Sequence, residues 1–168
     1  MRVTLAIDPG LRGSGVSVFS ADSLVRAAYV KSPNQADRGP YAWRDMAEAI
    51  RLWLSMQEYE YGAPNALVME LQQVYATRFQ KGNQDDLLQL AGVNGAISYA
   101  FRGIPEVFSY LPRVWKGTVK KEVMTARIES KLSPEELAGI EPCAVSLRHN
   151  VIDAVGLGLY KFGRLGRG

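Results

Sequence analysis

The chain opens on Val3-Thr4-Leu5-Ala6-Ile7-Asp8, which places Val3, Leu5 and Ile7 on one face of a strand and ends on an acid. Ala66-Leu67-Val68-Met69-Glu70 repeats the arrangement, an apolar run closed by a carboxylate. A third acid, Asp153, lies in a helical stretch between Val151-Ile152 and Ala154-Val155, with His149 and Asn150 on the same helix face at i−4 and i−3. Carboxylates in or beside buried segments are costly unless they are paired. Any fold open to this chain must therefore supply each acid with its own partner, or gather all of them around one divalent cation.

The spacing of apolar residues predicts the rest. After Pro9-Gly10 and an expected turn at Arg12-Gly13-Ser14-Gly15, strands are expected over 16–19 and 24–31. Links this short require antiparallel pairing, because parallel strands need a longer crossover. A loop rich in Pro, Gly and Asn (32–40) precedes a helix in which Trp43, Met46, Ala47, Ile50, Trp53, Leu54 and Gln57 recur at three- and four-residue steps. The strand 66–70, a helix over 85–102, a strand over 106–111 and helices over 120–131 and 146–162 complete the pattern. Strands alternating with helices after an antiparallel start predict an α/β fold, a mixed five-stranded sheet with helices on both faces. With no repeat or linker, residues 1–168 are expected to form one domain.

Composition excludes several classes. One cysteine and one histidine rule out an internal disulfide, a cysteine-based zinc site and any multi-histidine metal site. No apolar run approaches the roughly 20 residues needed to cross a bilayer, so no membrane association is expected. Strand residues begin at once after Met1-Arg2, which leaves no space for a leader, and a cytoplasmic location is expected. The terminal Gly-Arg-Leu-Gly-Arg-Gly reads as a frayed tail. The net charge of +3 is too small to identify a partner by itself.

Each acid has a bland explanation. Asp8 could cap the Pro-Gly turn, Glu70 could be a solvated strand end, and Asp153 could hydrogen-bond within the helix packing. One shared site explains all three more economically. Oxygen ligands favour Mg²⁺ or Mn²⁺ over zinc. Two such ions, roughly 3.5–4 Å apart, would hold the attacking water and the leaving oxygen of a phosphodiester in line. Asp8 would be the bridging ligand, with Glu70 and Asp153 flanking it.

The set Ile7-Asp8-Pro9-Gly10, Glu70 at a strand end and Asp153-Ala154 in a final helix resembles the RuvC-type Holliday junction resolvases, especially the phage-encoded branch. Glu70-Leu71-Gln72-Gln73-Val74-Tyr75, Leu90-Ala91-Gly92-Val93-Asn94-Gly95-Ala96-Ile97 and Val114-Trp115-Lys116-Gly117 with Lys120-Lys121-Glu122-Val123 extend the likeness over nearly the whole chain. The resemblance implies an RNase H-like fold, a homodimer and metal-dependent symmetric nicking of four-way DNA junctions. It would act in the host cytoplasm if phage-encoded. It carries Asp8, Glu70 and Asp153 over as catalytic acids and metal ligands. The family commonly has an acid or a histidine three residues before the last aspartate. Here that position is Asn150, with His149 one residue earlier, so either Asn150 completes the metal site or His149 serves it, as a ligand or by activating water.

Two segments suit nucleic acid. Tyr75, Arg78, Phe79 and Lys81 interleave aromatic and cationic side chains just after Glu70, which suits stacking on branch-point bases, the alternative being that Tyr75 and Phe79 anchor the loop on the core. Arg113, Lys116, Lys120 and Lys121 form a local positive excess fitted to phosphate contacts; Arg127 and Lys131 fit a solvated helix face. Flaps, forks or, as in YqgF-like nucleases, RNA precursors are the alternative substrates. An actin-like ATP-binding fold would need two such subdomains, and a silent DNA-binding module would gain nothing from three acids facing phosphate.

Overall fold

The computed structural model describes residues 2–34, 38–73 and 84–166. Five strands form one sheet in the order β3-β2-β1-β4-β5, built from β1 (Val3–Asp8), β2 (Gly13–Ser20), β3 (Ser23–Lys31), β4 (Ala66–Glu70) and β5 (Glu106–Tyr110). The tightly linked β1, β2 and β3 pair antiparallel, while β4 and β5 join in parallel beyond β1. The sheet is mixed, as the strand-helix alternation required, and β1 is its central strand.

Both faces are covered, which is why β1 reads as apolar on one face and small on the other. Val3, Leu5 and Ile7 pack with Leu67 and Met69 beneath α1 (Pro40–Tyr61) and α2 (Gln84–Ala100) through Met46, Ile50, Val93 and Ile97. On the opposite face, Ala6, Phe19 and Val68 meet α3 (Pro112–Trp115), α4 (Lys121–Glu129) and α6 (Arg148–Lys161) through Trp115, Ile128, Ile152 and Val155. Burying a large apolar side chain of this kind stabilises by about 1.5–3 kcal/mol. A short α5 (Pro134–Ala138) completes the described helices. Neither α3 nor α5 was expected, because four or five residues are too few to show a helical period. Among the described residues, no helix is long and apolar enough to cross a membrane.

Two expectations are corrected. Gly13-Ser14-Gly15 is not a turn but the start of β2, with Gly15 opposite Asp8 and Gly13 opposite Lys31. Glycine is required there by close packing: a Cβ on Gly13 would strike the Tyr29 ring, and one on Gly15 would lie 1.8 Å from the Asn150 carbonyl oxygen. Nor do the terminal residues 163–166 fray. Leu165 is 1% exposed. The Arg164 guanidinium grips the Glu136 carboxylate at 2.6 and 2.8 Å and donates to the Asp22 and Lys131 carbonyls. Glu136, 6% exposed, also accepts from the Leu24 N–H and completes a capping box with Ser133. A buried carboxylate needs a cation, and the tail supplies it.

Candidate active site

The parallel pairing of Ile7 with Met69 brings the next residues, Asp8 and Glu70, side by side at the carboxyl ends of β1 and β4. Ligand sites in open α/β sheets recur at such strand ends. Ile7 and Met69 point into the α1–α2 core, so both acids turn to the face covered by α6. Asp153 arrives from α6, whose position is set by two contacts with β2. The Ser17 hydroxyl donates to the Ala154 carbonyl at 3.0 Å, and the helix backbone at Asn150 lies directly on Gly15.

At the centre stands Lys116, just after α3. Its ammonium lies 3.0 Å from Glu70 Oε2 and 3.0 Å from Asp153 Oδ2. Trp115, fully buried, donates its indole N–H to the same Glu70 oxygen at 2.8 Å, and its ring centre lies 4.7 Å from the Lys116 ammonium. Asn94 of α2 donates to the Glu70 carbonyl at 3.1 Å and to the Gln72 side chain at 2.8 Å. Glu70 is thus held by its backbone and by its carboxylate.

Electrostatics mark these groups as a unit. Burial holds the Asp8 carboxyl well above the usual carboxylate range, the charges of Glu70 and Asp153 add to this, and Lys116 opposes it. Burial also raises Glu70, against the lowering pull of Lys116. Lys116 is held above the ordinary lysine range: burial disfavours its charge, but Glu70, Asp153 and Asp8 outweigh that. The His149 imidazole, one turn before Asp153, is pushed down by burial and by Lys121, with Asp153 opposing.

The donor chemistry fits a hard divalent cation. Three carboxylates face one ammonium, and among the described residues no hydrogen-bond donor reaches the Asp8 carboxyl. Among the same residues, no three Asp, Glu, His or Cys groups stand at ligand spacing about a common point. The Lys116 ammonium takes up the Glu70 and Asp153 oxygens instead.

Asp8, Glu70 and Asp153 are electrostatically linked to one another and His149 to Asp153, and Lys116 stands among these groups, in ion-pair contact with Glu70 and Asp153. Asn150 touches the sheet through its backbone. Arg113, Lys120 and Lys121 are exposed; Arg113 meets Gln73 through its backbone N–H. A cleft of about 320 Å³ lined by Lys116, Thr118, Lys121, Met124 and Asp153 adjoins the acids. Tyr75, Arg78, Phe79 and Lys81 lie outside the described residues. Sequence reasoning missed the Trp115 and Asn94 contacts to Glu70. A polar edge on an otherwise apolar Trp, next to a lysine, was the available signal for the first; the second carried none.

No protein-family model matches the sequence, and no curated protein matches it. The structure is similar to T. thermophilus RuvC in complex with Holliday junction substrate, at 21% identity and a TM-score of 0.62, covering 99% of this chain and 97% of that one. It is similar to Thermus thermophilus RuvC at 17% identity and a TM-score of 0.60, covering 99% of both chains. The yeast mitochondrial Holliday junction resolvase Ydc2 matches at 12% identity and a TM-score of 0.50, over 92% of this chain and 76% of that one. The chain carries, over nearly its full length, the RNase H-like fold of the RuvC resolvases.

Proposed function

We propose that the protein is a metal-dependent endonuclease that resolves four-way DNA junctions by symmetric nicking. The observation that carries this reading is the convergence of Asp8, Glu70 and Asp153 from β1, β4 and α6 about the partly buried Lys116 ammonium, which contacts Glu70 and Asp153 and acts on Asp8 through its charge. The junction complex of the RuvC neighbour supports branched DNA as the substrate.

Asp8, Glu70 and Asp153 would hold Mg²⁺ or Mn²⁺, with His149 or Asn150 completing the set. Two ions bound there would supply Lewis acidity and an activated water. The protein's own contributions are positional. Trp115 and Asn94 orient Glu70, and Ser17 with Gly15 fixes the height of Asp153 above the sheet. Burial favours the uncharged form of the His149 imidazole, which would let it accept a proton from the attacking water. Lys121 lines the cleft beside the acids, and with the exposed Lys120 and Arg113 it would suit the phosphate backbone, while Tyr75, Arg78, Phe79 and Lys81 are proposed to meet the branch point.

Paired nicks require two active sites, hence a twofold homodimer. Tyr41, Leu52, Met56 and Tyr59 leave apolar surface on α1 that such a dimer could cover.

The test is incubation with labelled four-way junction, flap, fork, linear duplex and structured RNA, in Mg²⁺, Mn²⁺ or chelator. Symmetrically paired nicks at the junction, lost in chelator, are expected. Cleavage of flaps or RNA alone would refute junction resolution.

A further inference from the structure

The Lys116 ammonium occupies the oxygens that a divalent cation would need. It is 3.0 Å from both Glu70 Oε2 and Asp153 Oδ2, and so links the ends of β4 and α6 by itself. It is not a loose surface contact: its side chain is 23% exposed and rests on the ring of fully buried Trp115, whose N–H shares the same Glu70 oxygen. One ammonium against three acids still leaves the cluster short of positive charge. The same lysine that makes the cluster tolerable without metal therefore stands in the way of the metal that would balance it fully.

We propose that Lys116 is the resident counter-cation of the acidic site, and that metal binds only by displacing it. This rests on reading Asp8, Glu70 and Asp153 as the metal ligands. Where the binding-competent arrangement is only fractionally populated, apparent affinity falls by that fraction. Lys116 thus sets a threshold for metal loading and keeps the free protein folded around its acids. The displaced ammonium stays tethered by its backbone beside the cleft that contains Lys121, where a phosphate could receive it.

The test is Mn²⁺ titration of the DNA-free protein by calorimetry and electron paramagnetic resonance, with thermal melting in parallel. Lys116→Met should bind Mn²⁺ about tenfold or more tightly than wild type. Its metal-free melting temperature should fall, and Mn²⁺ should raise that temperature by more than it does in wild type. Lys116→Arg, which keeps the charge, should bind close to wild type. If Lys116→Met proves unstable, Lys116→Gln carries the same expectation. Unchanged or weaker Mn²⁺ binding in these neutral variants, with Asp8→Asn still impaired, would overturn the displacement proposal alone. Wild-type Mn²⁺ binding by Asp8→Asn would instead remove the metal site, and the proposal with it.

Discussion

Gly15→Ala offers a test of how the sheet and the last helix set the site. A methyl group at Gly15 would stand 1.8 Å from the Asn150 carbonyl oxygen, 2.3 Å from its carbon and 2.9 Å from the Val151 nitrogen. All three are backbone atoms, so no side chain can turn aside. Ordinary contact begins at 3.4 Å, which obliges α6 to withdraw by about 1.5 Å, because a packed interface has no void to absorb the methyl. Overpacking of this kind costs about 1–3 kcal/mol, which lowers Tm by several degrees in a chain of this size. The withdrawal also moves Asp153 away from Asp8 and Glu70 and stretches the Ser17 bond to Ala154. A misplacement near 1 Å at a reacting centre can cost about 10²-fold in rate. Single-turnover cleavage of a labelled four-way junction should therefore slow by about that factor, even at temperatures where the variant is fully folded. Gly95→Ala is the matched control. Its methyl meets nothing within 4 Å, so it should preserve the rate and stabilise α2 by about 0.5–1 kcal/mol. Wild-type cleavage by folded Gly15→Ala would show that the contact between α6 and β2 does not position Asp153.

Three further outcomes follow from the electrostatics. Asp8→Asn should abolish cleavage yet raise the Tm of the metal-free protein. The folded-state pKa of Asp8 is raised, so the stability its carboxyl contributes is present below the unfolded value and lost as pH rises through the folded one; a lower metal-free Tm at neutral pH would contradict this. Glu136 has the opposite sign: the Arg164 side chain holds its carboxyl down to about 2. Its contribution, at most about 3 kcal/mol, is present above the usual glutamate range and lost as pH falls from about 4.5 toward 2. Glu136→Gln should flatten the acid limb of a stability–pH curve, and an unchanged limb would place acid sensitivity elsewhere. Trp115→Phe removes the indole N–H from Glu70 while keeping an aromatic ring, and should cost about 2 kcal/mol in denaturant unfolding together with a loss of cleavage rate. Loss of neither would mean that Lys116 alone holds Glu70.

Local periodicity was enough to locate all five strands and the long helices, because each buries a face whose period appears over a handful of residues. Asp8 and Glu70 stood out for a related reason: an acid closing an apolar run breaks the pattern that burial imposes. The start of β2 was misread because Gly13 and Gly15 carry turn chemistry in isolation, and the Tyr29 ring and the α6 backbone that require them are distant in the chain. Residues 163–166 were misread likewise. Their Gly-rich composition suggested fraying, whereas the buried partner of Arg164 is a glutamate 28 residues earlier.

From the sequence alone came the α/β alternation, the antiparallel start and the candidate acids, since these depend on period, turn chemistry and the cost of burying charge. Tertiary structure decided what those acids meet. Parallel pairing of β1 with β4 set Asp8 beside Glu70, and the seat of α6 on Gly15 brought Asp153 to them. It also moved Lys116 from an expected contact with DNA into the acidic cluster itself. A lysine carries the same charge wherever it stands in a chain. Only the fold determines whether phosphate or a buried carboxylate is nearest, and at about 3 Å in a partly dehydrated site that proximity outweighs any local preference.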